Sequence, residues 1–163
     1  MSVSSTAAEV EVSSAKSAMM EVASQDAPTL EISIGSSVPS VKVGQENVAV
    51  AKFDLENNDP EKEIVIYGMT FEQRGTADTE DALNTFSLLV DGNQVASSAK
   101  SFGDYVTFSL NSPFALQDGD SVQLELRANV IGEQAKNLSF QVTDKLDIEA
   151  GSEFGFGARI IGE

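Results

Sequence analysis

The side chains able to do chemistry in this chain are almost all carboxylates. Aspartate and glutamate number 26 against 10 lysines and arginines, and histidine and cysteine are absent. Without histidine there is no imidazole general base and no imidazole metal ligand. Without cysteine there is no thiolate nucleophile, no disulfide framework and no zinc knuckle. Three clusters concentrate the remaining oxygen chemistry: Asp78, Glu80 and Asp81 in "DTED", Asp118 and Asp120 in "DGD", and Asp144 and Asp147 in "TDKLD". Each could ligate calcium, which gathers roughly six to eight oxygens from carboxylates and carbonyls. None has the spacing of an EF-hand or of a glycine-rich nonapeptide repeat. Aspartate and glycine are also what turns demand, and turn formation is the reading favoured for all three.

A pair of carboxylates could also hydrolyse a glycoside. Nothing in the sequence selects one pair from the 26, and sugar-stacking platforms are scarce, with no Trp and two Tyr. Phenylalanines at alternating positions read as core. Asn137-Leu138-Ser139 fits a glycosylation sequon at the start of an expected strand, a match that chance readily supplies in a serine-rich chain. The glycines of "FGFGARIIG" form no phosphate loop, since no Lys-Ser/Thr follows them and no helix begins there. They read as marks of a bulge or of close backbone approach in an edge strand. The expectation is a protein that is not an enzyme.

The formal charge of −16 points the same way. Nucleic acid calls for a basic surface that releases phosphate counterions, and anionic membranes repel an acidic one. Solubility accounts for the charge, with calcium binding as the sharper alternative. No segment approaches the roughly 20 apolar residues that span a bilayer. Met1 is followed by polar residues, so no signal peptide is visible.

The elements that must position these groups are β-strands. The 163 residues suffice for one domain with a two-layer core. "TLEISIG" alternates Leu30, Ile32 and Ile34 with polar residues. "NVAVAKFDLE" places Ala49, Ala51, Phe53 and Leu55 on one face. "EIVIYGMTFEQ" is apolar on both faces at first, as a central strand would be. "FSLLVDGNQVAS" carries Phe86, Leu88 and Val90 to an Asp91-Gly92 hairpin turn. Val106 and Phe108 pair in "YVTFSL". Val122, Leu124, Leu126, Ala128 and Val130 face inward along "SVQLELRANV". Leu138, Phe140 and Val142, then Phe154, Phe156, Ala158 and Ile160, continue the alternation. A period of two over so many segments predicts half-buried antiparallel strands. About nine of them, with no βαβ alternation, predict an antiparallel β-sandwich over residues 29–163. The one helical turn expected lies within "TADTEDALNT", capped by Asp78 with Asp81 in its first turn.

Residues 1–28 precede this pattern as a detached extension. Read as a helix, Ala8, Val12, Ala15, Met19 and Val22 form one stripe. Read as a strand, Ala8, Val10 and Val12 alternate with Glu9 and Glu11. A plain linker is the third reading. None of these folds alone, so the segment packs on something or stays loose.

Several pieces together are familiar: Gly44-Gln45-Glu46-Asn47-Val48, Phe53-Asp54-Leu55, Ile64-Val65-Ile66, Leu89-Val90-Asp91-Gly92-Asn93 and Gly157-Ala158-Arg159-Ile160. Over residues 29–162 the chain resembles an immunoglobulin-like repeat of bacterial surface and S-layer-like proteins. The resemblance implies an extracellular or cell-surface sandwich and no particular chemistry. Such domains sit as repeats in long chains, whereas here one copy follows its own extension, so the question becomes how copies join.

One physical solution is donor-strand addition, which resembles donor-strand pilins and secreted matrix fibres in architecture. An incomplete sheet leaves unpaired backbone groups, and a neighbour's strand fills them. Val10 and Val12 would enter an acceptor groove, with Ala8 beside them. Met19, Met20 and Val22 would extend the contact or form a linking helix. The contact is head-to-tail and propagates into a homopolymeric filament. The alternative is a calcium-dependent adhesion module for carbohydrate or a cell-surface glycan, with Asp78, Glu80 and Asp81, or Asp118 and Asp120, as the metal site. A carboxylate-only glycosidase is a third.

Overall fold

The computed structural model describes residues 29–58, 62–98, 101–132, 136–143, 147–152 and 159–162. They form an antiparallel β-sandwich of ten strands with one helical turn, against about nine expected. One sheet holds six strands in the order β10-β1-β2-β7-β4-β5. These are Arg159–Gly162, Thr29–Ile34, Val48–Asn57, Ser121–Val130, Leu83–Val90 and Asn93–Ser98. The second sheet centres on β3 (Ile64–Gln73), with β6 (Tyr105–Leu116) on one side and β8 (Phe140–Gln141) and β9 (Ile148–Ser152) on the other. Every pairing is antiparallel except β10 with β1. The glycine-rich C-terminal segment thus ends in an edge strand, while Phe154, Phe156 and Ala158 lie outside the described residues. Among the described residues no helix is long and apolar enough to cross a membrane.

The alternation of polar and apolar residues sets which face of each strand is buried. In β7, Leu124, Leu126, Ala128 and Val130 are buried while their neighbours stay partly exposed. Leu30 and Ile32 do the same in β1, though Ile34 at its end is 54% exposed. The β4–β5 hairpin turns at Asp91 (φ 48°) and Gly92 (φ 82°). Two successive positive φ values define the turn whose twist matches the flanking strands, which is why Asp-Gly sits there. In the core, the Phe53 and Phe71 rings stack across the two sheets at 5.2 Å, and Phe108 meets Phe71 edge-on at 6.1 Å. Burying each ring contributes about 2–3 kcal/mol.

Two strands depart from simple alternation. In β2 the register slips between Ala49 and Ala51, because Val50 forms a bulge. Val50 is therefore buried and Ala49 only partly so, which corrects the expected face of Ala49. In β6 the ladder opens between Ser109 and Phe114, opposite Gly68 and Ile66 of β3. Pro113 lies inside that opening. A proline has no N–H to give a ladder, so it is accommodated at a bulge on an edge strand.

Candidate functional site

The acidic clusters serve local structure. Asp78 caps the helical turn α1 (Thr79–Ala82), its Oδ1 accepting from the N–H groups of Glu80 at 3.0 Å and Asp81 at 3.3 Å. Glu80 Oε1 accepts from the Gly103 N–H at 3.0 Å. Asp120 Oδ2 accepts from the Gln117 N–H at 3.0 Å, closing the β6–β7 turn in which Asp118 is exposed. Asp147 accepts from the Thr143 N–H at 2.9 Å, and Asp144 lies outside the described residues. Among the described residues no group of three or more acids is placed to hold a metal ion. The expected cap is present, and Asp120 and Asp147 hold local turns in the same way.

One acid stands apart. Glu72 is 6% exposed on β3 and was not singled out by any motif. Its carboxylate accepts from Tyr105 Oη at 3.2 Å and Thr143 Oγ1 at 3.0 Å, and pairs with Arg74 Nη2 at 3.0 Å. The hydrogen bond to Glu72 and that carboxylate's charge raise the Tyr105 phenol above its ordinary 10.0. Thr143 Oγ1 also lies 3.2 Å from Asp147 Oδ2. One hydroxyl proton satisfies one carboxylate at a time, so Thr143 links the two acids. The network binds β3 to β6 and to the segment between β8 and β9.

Arg74 leads from this network to a pair of surface clefts. Two adjoining clefts of about 290 and 250 Å³ share Val38 and run between residues 34–41 and residues 136–141. Core residues of β2 and β8 form the floor, and Val50, Ala51, Phe53 and Phe140 are themselves buried. The clefts exist because β1 stops early. Its ladder with β2 ends at Ile34 opposite Phe53, and a Gly35 N–H to Lys52 O bond of 2.9 Å closes it. From Val48 to Ala51, β2 is laddered on its β7 side only, among the described residues.

The opposite wall is pinned from behind. Gln73 Oε1 accepts from the N–H groups of Gly75 and of Ser139, the latter at 3.3 Å. The Arg74 N–H donates to Ser139 O at 2.7 Å and the Ala77 N–H to Asn137 O at 3.1 Å. Asn137 N–H donates to Thr76 Oγ1 at 2.9 Å. Residues 136–139 are therefore irregular chain held by the 73–77 turn, where the alternation predicted the start of a strand. The sequon residue Asn137 is exposed on this wall.

The lining is charged in one sense. Among the described residues it contains Lys52, Arg74 and Lys136 and no carboxylate, in a chain with 26 acids and 10 bases. Lys52 pairs with Glu125 at 3.2 Å on the outer face of the sheet, and Arg127 also bonds Glu125. Burial pushes the Glu125 carboxyl up, but those hydrogen bonds and charges outweigh it and hold it below the ordinary 4.5.

The expected donor residues Ala8, Val10, Val12, Met19, Met20 and Val22 lie outside the described residues. Comparison with family models, with curated proteins and with solved structures returns no match. The class is therefore set by architecture alone: an antiparallel, two-sheet β-sandwich.

Proposed function

We propose that this protein is a non-enzymatic structural subunit of an extracellular filament or surface layer. Copies join head-to-tail when residues of the N-terminal segment add to a neighbour's sheet. The observation that carries this reading is the interrupted ladder on β2, which lies beside an apolar-floored groove at the surface. Edges of that kind recruit strands, with main-chain bonds giving affinity and alternate side chains giving specificity. A strand added from a second molecule leaves the second molecule's own groove open, so the contact propagates. The resemblance to surface-layer repeats agrees with an extracellular setting. The calcium-dependent adhesion module draws less support, because Asp78, Glu80 and Asp120 are engaged in local hydrogen bonds.

The test compares the intact chain with a deletion of residues 2–27. Electron microscopy and light scattering should show fibres for the intact chain and monomers for the deletion, with the β-sheet circular dichroism of the two alike. Undiminished assembly of the deletion would refute the proposal.

A further inference from the structure

We infer that the acceptor site is the pair of clefts at Val50 and Ala51 of β2, and that its occupant is residues 8–12 of a second copy. This inference rests on the filament reading above and adds where the contact forms.

Three observations locate it. First, among the described residues the unpaired stretch of β2 is in line with β1, so a short strand there continues a position that β1 leaves at Gly35. Second, the clefts have an apolar rim over a buried floor: Val50, Ala51 and Phe53 are 4–9% exposed, and Ile34 beside them is 54% exposed. An occupant with apolar side chains at every second residue covers that rim, and Val10 and Val12 have this spacing, about 6–7 Å apart on a strand. Third, the described lining is cationic, with Lys52 paired to Glu125 and Arg74 to Glu72, while residues 1–28 carry Glu9, Glu11, Glu21 and Asp26 against the single base Lys16. With the valines inward, Glu9 and Glu11 point outward, on the face where Lys52 already meets Glu125. Opposite charges on neighbouring strands attract across the pair.

Reach alone permits a chain to occupy its own groove. Residues 13–28 extended span up to about 50 Å. The test must therefore separate copies, and the absence of cysteine makes introduced thiols unambiguous. Full-length Val12→Cys is mixed with full-length Ser139→Cys under mild oxidation, while scattering and microscopy follow assembly. Ser139 is exposed and uses only its backbone to hold the wall, so its substitution leaves the fold alone. Ser36→Cys and Gln141→Cys extend the panel, because a disulfide needs Cα atoms within about 7 Å. Asn93→Cys, on the far edge strand β5, is the control.

The expected result is heterodimer at the groove positions in at least about tenfold excess over the Asn93 control, as the high effective concentration of a docked segment requires. Fibres with cross-links only at Asn93 would overturn the groove assignment and leave the filament standing. Neither fibres nor cross-links would overturn both. A monomer that cross-links only within one chain carrying both Val12→Cys and Ser139→Cys would show that the segment fills its own groove, overturning the second-copy occupant.

Discussion

At the scale of a residue, the tightest local commitment is Asn57. It is fully buried at the end of β2. Its Nδ2 lies within hydrogen-bond distance of the carbonyls of Lys62 at 2.7 Å, Leu116 at 3.0 Å and Gln117 at 3.1 Å, two protons shared among three acceptors. Its backbone N–H donates to Asp120 O at 2.9 Å, and its carbonyl accepts from the Gly119 N–H at 3.1 Å. One side chain thereby fastens the end of one sheet to the β6–β7 turn that joins the two sheets. Asn57→Ala removes the donor and strands the buried Leu116 carbonyl, costing about 2 kcal/mol. Asn57→Asp should cost more. It replaces the donor by a carboxylate on a fully buried residue that faces three carbonyls. Urea unfolding measures both. An aspartate variant as stable as the alanine variant would mean that water reaches the site and that the carbonyls are not dry.

At the scale of the element, local signals were readable and long-range ones were not. The Asp91-Gly92 hairpin, the Asp78 cap and the buried face of β7 follow from positive φ, an orphan N–H pair and a period of two, each confined to a few neighbouring residues. The Val50 bulge left no such mark, and it shifts which alanine of β2 is buried. The groove was illegible for a stronger reason. Its lining comes from positions 34 to 141, and it is framed by a ladder that stops and by a wall tied to a distant turn. Gly75 carries that tie. A Cβ there would lie 2.0 Å from Asn137 O and 2.7 Å from Gln73 Oε1, so only a hydrogen fits. Gly75→Ala must push the wall away from the 73–77 turn, at a cost of about 2–3 kcal/mol. Hydrogen exchange should accelerate at the Ala77 and Asn137 amides, whose bonds hold the wall, and stay slow in β7. Unchanged exchange at those two amides would show that the wall is held by something other than this contact.

At the scale of the whole molecule, assembly sets a long-range repulsion against short-range contacts. Each chain carries a formal −16. The folded body has a radius of gyration of about 15 Å, so most charges on neighbouring subunits sit tens of ångströms apart. The proposed contacts of Glu9 and Glu11 with Lys52 act over a few ångströms. Salt distinguishes the two, since the screening length falls from about 30 Å at 0.01 M to about 8 Å at 0.15 M. Raising sodium chloride over that range removes the repulsion between bodies and leaves the contact pairs largely intact. The elongation rate read by light scattering should therefore rise, by about tenfold or more, as like-charged encounter is relieved. The double variant Glu9→Gln, Glu11→Gln separates the terms further. It relieves little of the total charge but removes the local pairs, so at 0.15 M its fibres should dissociate about threefold faster, in line with exposed ion pairs of a few tenths of a kcal/mol each. An elongation rate that falls with salt would mean that attraction at the groove governs encounter, and that the acidic surface is no barrier to joining copies.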